Sequence, residues 1–222
     1  MSGFVVAVDG PAASGKGTIA SRLAAEYGLP FLDTGLLYRA VGMAVADAGG
    51  DPGDATQAEA VARALQLDTL DAPRLSGRAA GEAASQAAAH PGVRAALLAL
   101  QREFAAQPAG AVLDGRDIGT VIAPEAPAKL FVTAAPEVRA ERRWRQLIQD
   151  DAALTLADVL EDIHRRDARD SGRATAPLVR AEDAVLLDTS EMDIAAAVEA
   201  ARRIVDAARA RWLESTASPG RR

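Results

Sequence analysis

Short apolar runs alternate with segments of helical period along the whole chain. Phe4-Val5-Val6-Ala7-Val8 is apolar without interruption up to Asp9, so Phe4–Asp9 predicts a buried strand. Gly10 to Gly15 follows as a turn, and Lys16–Tyr27 reads as a helix with Ile19, Leu23 and Ala24 on its apolar face, ended by Gly28. Phe31-Leu32 predicts a second strand, and Leu36–Ala48 a helix stopped by Gly49-Gly50 and Pro52. Thr56–Leu67 has helical period, whereas Asp71–Gly81 is rich in Pro, Gly and Arg and reads as a loop. A helix is predicted over Gly92–Gln107, with Val93, Leu97, Leu100 and Phe104 on one face. Strands follow at Ala111–Leu113, Lys129–Val132 and Ala184–Leu187, and helices at Glu137–Gln149, Thr155–Arg169 and Ile194–Leu213. From Glu214 the chain is polar and reads as a frayed tail. Strands alternating with helices predict an α/β fold: a five-stranded parallel sheet with helices on both faces.

Composition narrows the class. The 222 residues are 49% hydrophobic, enough for a buried core, and the length suits one or two domains. The chain has no cysteine, which removes disulfide frameworks and zinc ribbons. No run approaches about 18 uncharged apolar residues, so no transmembrane helix is expected. The first residues lack a basic n-region and a small-residue cleavage site, so no signal peptide is read and a cytoplasmic location is expected. A net charge of −6 argues against general nucleic-acid binding. Of the 25 basic residues only Lys16 and Lys129 are lysines; the other 23 are arginines. Most of that surplus is compositional background. Lys129, at the start of a predicted strand, reads as a surface residue.

The strongest motif is Gly10-Pro11-Ala12-Ala13-Ser14-Gly15-Lys16-Gly17-Thr18, between a predicted strand and a predicted helix. That is the setting of a P-loop. Glycines let the backbone wrap a phosphate with its N–H groups inward, the helix N-terminus adds partial positive charge, and Lys16 adds a mobile point charge. The general pattern ends Gly-Lys-[Ser/Thr]. Here Gly17 intervenes before Thr18, so a hydroxyl directly on Mg2+ is not implied. The loop implies nucleotide phosphate but not a reaction.

Two further segments carry anion-binding residues. Asp33-Thr34-Gly35-Leu36-Leu37-Tyr38-Arg39 begins a helix after the second strand, where Arg39 suits a phosphate. Asp114-Gly115-Arg116-Asp117 ends the third strand, at the sheet edge where α/β proteins bind ligands. Together with the Gly-Lys-Gly-Thr loop and the extended run Asp114–Val121, these segments resemble bacterial cytidylate kinases, within the P-loop nucleoside monophosphate kinases. Ala84-Ser85-Gln86 through Arg94, and Arg166-Asp167-Ala168-Arg169-Asp170 followed by Arg173, fit the same pattern. The resemblance runs from Val5 to about Ala208.

The resemblance implies ATP-dependent phosphorylation of CMP and dCMP, with Mg2+, by a monomer whose partners are these small molecules. It implies ATP contacts from residues 10–18 (Gly10, Pro11, Ala12, Ala13, Ser14, Gly15, Lys16, Gly17 and Thr18), and a pyrimidine-reading set of Ser85, Arg94 and Asp117. A carboxylate at Asp117 can accept from the cytosine N4 amino group, while O2 and N3 suit Arg94 and a hydroxyl. Thr34, Arg39, Arg116, Arg166 and Arg173 match positions around the acceptor phosphate, with Lys16, Arg116, Arg166 and Arg173 catalytic. Asp114 is the candidate for Mg2+ through water.

Eight arginines and eight acids lie between Arg139 and Arg173. Ion-paired solvated helices explain most of them; Arg142, Arg166, Arg169 and Arg173 are the candidates for an arginine lid over the triphosphate. The expected organisation is a core (1–35, 108–138, 180–214), an acceptor-binding region (about 36–107), a lid (about 139–175) and a tail (215–222). The β-rich insert usual in the family does not fit within 68–82, so at most a short hairpin is expected there. Adenylate- or UMP/CMP-type kinases, a non-catalytic P-loop regulator and a small-alcohol kinase are the rival readings.

Overall fold

The computed structural model describes residues 3–66, 70, 74–149 and 151–217. Five strands, β1 (Val5–Asp9), β2 (Phe31–Asp33), β3 (Ala111–Gly115), β4 (Ala128–Thr133) and β5 (Val185–Asp188), form one parallel sheet in the order β2-β3-β1-β4-β5. The helices are α1 (Lys16–Tyr27), α2 (Thr34–Asp47), α3 (Ala55–Ala64), α4 (Gly77–Ala87), α5 (Pro91–Ala105), α6 (Pro136–Leu147), α7 (Leu156–Ser171) and α8 (Ile194–Ala217). A single π-helical turn spans Ile118–Ile122. The α/β class and parallel sheet are those the hydrophobic pattern predicts.

The chain divides into two compact units. One comprises Met1–Leu32, Arg102–Ala134 and Val179–Arg222; the other Asp33–Gln101 and Ala135–Leu178. Each has its own apolar core. In the first, Val6, Val8, Val112, Leu130, Val132 and Leu187 of the sheet pack with Ile19 and Leu23 of α1 and Ala201 and Val205 of α8. Every residue of β1 and β3 is buried, the aspartates Asp9 and Asp114 included, as in parallel strands covered on both faces. In the second, Leu37, Val41 and Val45 of α2 pack with Ala58 and Ala62 of α3, Ala84 and Ala87 of α4, and Val93 and Leu97 of α5.

Several expectations need correcting. The segment read as a loop to Gly81 becomes helix at Gly77, so α4 was missed; residues 71–73 of that reading lie outside the described residues. α4 is Ala- and Gly-rich, and its buried face is made of Ala80, Ala83, Ala84 and Ala87, packed as the tertiary structure requires. Among the described residues from 48 to 90 there is no strand; residues 68, 69 and 71–73, where a short hairpin was allowed for, lie outside the described residues. α8 continues through Ala217, beyond the predicted end at Leu213. Lys129 is not a surface residue. It is 8% exposed, and its ammonium donates to both carboxylate oxygens of Asp183 at 2.9 and 2.8 Å and to the Pro124 carbonyl. No helix among the described residues is long and apolar enough to cross a membrane.

Candidate active site

In the first unit, the loop after β1 is built for close approach. A Cβ at Gly10 would lie 2.0 Å from the Val132 carbonyl oxygen, and its φ of 153° also favours glycine. Ala13 and Gly15 take left-handed conformations at φ of 60° and 89°, turning the chain into α1. No side chain caps α1. Ser14 is fully buried, its carbonyl accepts from the Thr189 hydroxyl at 3.1 Å, and its Oγ has no hydrogen-bond partner. A buried hydroxyl left unsatisfied costs free energy. It lies beside a helix N-terminus and Lys16, where a nucleotide phosphate would be the natural partner. The loop therefore fits the polyphosphate that its motif implies.

Gly17, the departure from the general motif, has a structural cause. A Cβ there would stand 2.9 Å from Oδ2 of Asp114, which is 3% exposed and lies 3.6 Å from the Lys16 ammonium. At position 17 the Asp114 carboxylate occupies the space that a Cβ would need, so any other residue requires it to shift. The sequence alone could not show that. Among the described residues no group of three or more His, Cys, Asp or Glu gathers to hold a metal ion. A single carboxylate is nonetheless what Mg2+ commonly takes from a protein when phosphates and waters complete its shell.

Asp9, which the sequence reading passed over as the end of a strand, organises the neighbouring turn. Its carboxylate accepts from the backbone N–H groups of Ile118 and Gly119, both at 2.8 Å. Those two residues open the π-helical turn that directly follows Asp117. Burial raises the Asp9 pKa to about 7, against the opposing pull of the two N–H groups, with the negative charges of Asp117 and Asp114 adding to the rise. Asp117 is itself buried, and Arg116 donates to the Gly115 carbonyl at 3.2 Å.

The second unit gathers the remaining candidates. Asp33 caps α2 by accepting from the Gly35 N–H at 2.9 Å, and the same carboxylate holds the Arg39 guanidinium at 2.8 Å. Thr34 is buried at the first helical position. Arg94 is 7% exposed and lies over the Tyr38 ring, 5.4 Å from its centre. Ser85 is 2% exposed on α4 and accepts from Arg169 of α7 at 2.7 Å; Arg169 also pairs with Glu82 at 2.8 Å.

Arg166 and Arg173 flank one buried carboxylate, Asp170, at 3.9 and 2.6 Å. Asp170 was quoted in the motif but given no role. The spacing i, i+4 from Arg166 carried the signal, because it sets two helical residues on one face. Arg143 was also missed. Its guanidinium donates to the Gly77 carbonyl at 2.8 Å, and burial and the nearby Arg39 charge lower its pKa. Gly81 of α4 is the point of approach: a Cβ there would be 3.5 Å from Nη1 of Arg166 and 3.8 Å from Nη2 of Arg143. Arg142 lies on α6 and is half-buried. The second unit thus concentrates guanidiniums in the manner of a phosphate site.

Comparison with known proteins agrees with this geometry. The family model described as cytidylate kinase matches residues 6–207. The chain is 68% identical over 209 residues to a cytidylate kinase of Caulobacter vibrioides, covering 94% of this chain and 98% of that one. It is 65% identical over 207 residues to the cytidylate kinase of Xanthobacter autotrophicus, covering 93% and 99%. A solved structure of an uncharacterized protein from Eubacterium ventriosum shares the fold, with a TM-score of 0.54 and 12% identity over 91% of this chain and 98% of that one. With a phosphate loop, an acidic strand end and buried arginines where the motifs put them, and a match across nearly its whole length, the chain belongs to the cytidylate kinase family.

Proposed function

We propose that this protein transfers the γ-phosphoryl group of ATP to CMP, and to dCMP, in a single in-line displacement, giving ADP and the nucleoside diphosphate. The observation that carries the reading is the burial of Ser85, Arg94 and Asp117, at 2%, 7% and 4% exposure. A hydroxyl, a guanidinium and a carboxylate are the groups that the acceptors and the amino group of cytosine ask for.

The chemistry needs no general base. A phosphomonoester has a second pKa of about 6, so the acceptor is already largely dianionic at pH 7. Catalysis then reduces to positioning and charge neutralisation. The loop of residues 10–18 takes the donor phosphates, with Lys16 at the transferring group and Arg142 over the triphosphate. Thr34, Arg39, Arg116, Arg166 and Arg173 hold the acceptor phosphate, and Lys16, Arg116, Arg166 and Arg173 stabilise the charge spread over the equatorial oxygens. Bound Mg2+ would neutralise donor phosphate charge, with Asp114 facing it through water. The protein works as a soluble monomer in the cytoplasm.

The test is ADP release with CMP, dCMP, UMP and AMP as acceptors. CMP and dCMP should give the highest kcat/KM. Faster turnover with AMP than with CMP overturns the reading, as does ATP binding without any acceptor-dependent ADP.

A further inference from the structure

Arg169 was expected at the donor triphosphate, but its observed partners lie on α4. Its Nη1 donates to Ser85 Oγ at 2.7 Å and its Nη2 to Glu82 Oε1 at 2.8 Å, so one planar fork spans two residues of the same helix. The register that permits this is held by a second strap. Arg78 of α4 grips Asp162 of α7 through Nε at 2.6 Å and Nη2 at 3.1 Å. Asp162 and Arg169 are seven residues apart, two turns of α7, and so lie on the same side of it.

We infer that Arg169 is a positioning residue that sets the polarity of the Ser85 hydroxyl, and through it the preference for cytosine over uracil. The inference rests on the reading of Ser85 as a base contact given above. A hydroxyl has one hydrogen to donate and two lone pairs to accept with. A guanidinium donor takes one lone pair, and its charge makes the remaining O–H a better donor and a poorer acceptor. Ser85 is therefore presented as a donor. With Arg94 placed at O2, Ser85 stands at N3, which is a bare acceptor in cytosine and carries a hydrogen in uracil. A donor at N3 is satisfied by cytosine and meets a second donor in uracil. The alternative for uracil is that Ser85 accept from two donors while its own hydrogen finds another acceptor in a site that is 2% exposed. Glu82 orients the fork, and its carboxylate keeps the Arg169 charge paired, so no bare cation faces the base.

The experiment measures kcat and KM for CMP and UMP at saturating ATP, and KM for ATP, in the parent chain and in Ser85→Ala, Arg169→Ala, Arg169→Gln and the Ser85→Ala/Arg169→Ala double variant. Melting temperatures establish that each variant is folded. Arg169→Ala should lower the CMP-to-UMP ratio of kcat/KM about tenfold, as losing one charge-assisted hydrogen bond does. Ser85→Ala should lower it equally, and the double variant no further. KM for ATP should stay within about twofold. Arg169→Gln removes the charge and stops two bonds short of Ser85, so it should lower the ratio as Arg169→Ala does, which serves if the alanine variant does not fold. An unchanged ratio in Arg169→Ala or Arg169→Gln overturns the inference, and so does a raised KM for ATP with selectivity intact, which would return Arg169 to the donor. If the parent chain does not phosphorylate CMP, the underlying reading fails instead, and this inference with it.

Discussion

At the scale of single residues, what matters most is which atoms are kept apart from side chains. Gly17 is the sharpest case. The space beyond its Cα holds Oδ2 of Asp114, so a serine there, which would restore the more general loop pattern, collides with a buried carboxylate paired to Lys16. Gly17→Ser should displace that pair while leaving the core intact. Misplacing a charged group at the transferring phosphate costs about 10- to 100-fold in kcat, with the melting temperature little changed. Equal kcat in parent and variant would show that Asp114 moves aside at no expense. Asp9 yields a second prediction. Its pKa is raised to about 7 from the ordinary carboxylate value, so between roughly pH 4 and 7 the folded chain binds a proton that the unfolded chain has released. Its contribution to stability is therefore fullest below pH 4 and is lost as pH rises through 7. Asp9→Asn does not titrate. Unfolding free energies measured from pH 4 to 8 should shift in favour of the Asn variant as pH rises, by at most about 4 kcal/mol. A difference that shrinks with pH would mean that the two N–H donors, not burial, dominate at Asp9.

At the scale of elements, the sequence was most legible where period and motif coincide. Lys16–Tyr27 was bounded correctly because a glycine-rich turn opens it and Gly28, at φ 63°, closes it. β1 and β3 announced themselves as apolar runs. α4 did not, because Gly77 and Gly81 near its start are loop-favouring residues, although Arg78, Glu82 and Gln86 alternate with buried alanines at helical period. The π-helical turn after Asp117 depends on Asp9, which is 109 residues away from Ile118 in the chain, and no local pattern encodes that. The partners of Lys129 and Arg169 are likewise distant in sequence, at Asp183 and Ser85. Motif reading singled out Ser85, Arg94 and Asp117 as functional, but neither the burial of Lys129 and Asp170 nor the partners of these side chains could be read from it. The crossing of α2 and α4 shows how tightly an alanine-based contact is set. A Cβ at Gly42 would come within 2.6 Å of the Ala83 backbone. Since backbone cannot swing away as a side chain can, Gly42→Val should cost about 1–3 kcal/mol, read as a lowered midpoint in urea. It should also raise KM for CMP, because Ser85 follows Ala83 on the same helix. A variant as stable as the parent would mean that the helices separate freely.

At the scale of the whole molecule, the two cores share no residue. The loop of residues 10–18 belongs to the first unit, with Asp114, Arg116 and Asp117, whereas Ser85, Arg94, Arg142, Arg166, Arg169 and Arg173 belong to the second. A cavity in one core should therefore weaken one set of functions before the other. Leu97 is 1% exposed in the core of the second unit, and truncating such a leucine costs about 2–5 kcal/mol. In Leu97→Ala, amide exchange should quicken first in α2, α4 and α5, while β1, β3 and β4 keep their protection. Turnover of CMP should fall with warming at temperatures where a non-hydrolysable ATP analogue still binds, since the loop and Lys16 rest on the intact core. Leu23→Ala, buried in the core of the first unit, should reverse the order and lose the analogue first. Simultaneous loss of protection across both units in either variant would instead show that the chain unfolds as a single cooperative body, with each core stabilising the other despite having no side chain in common.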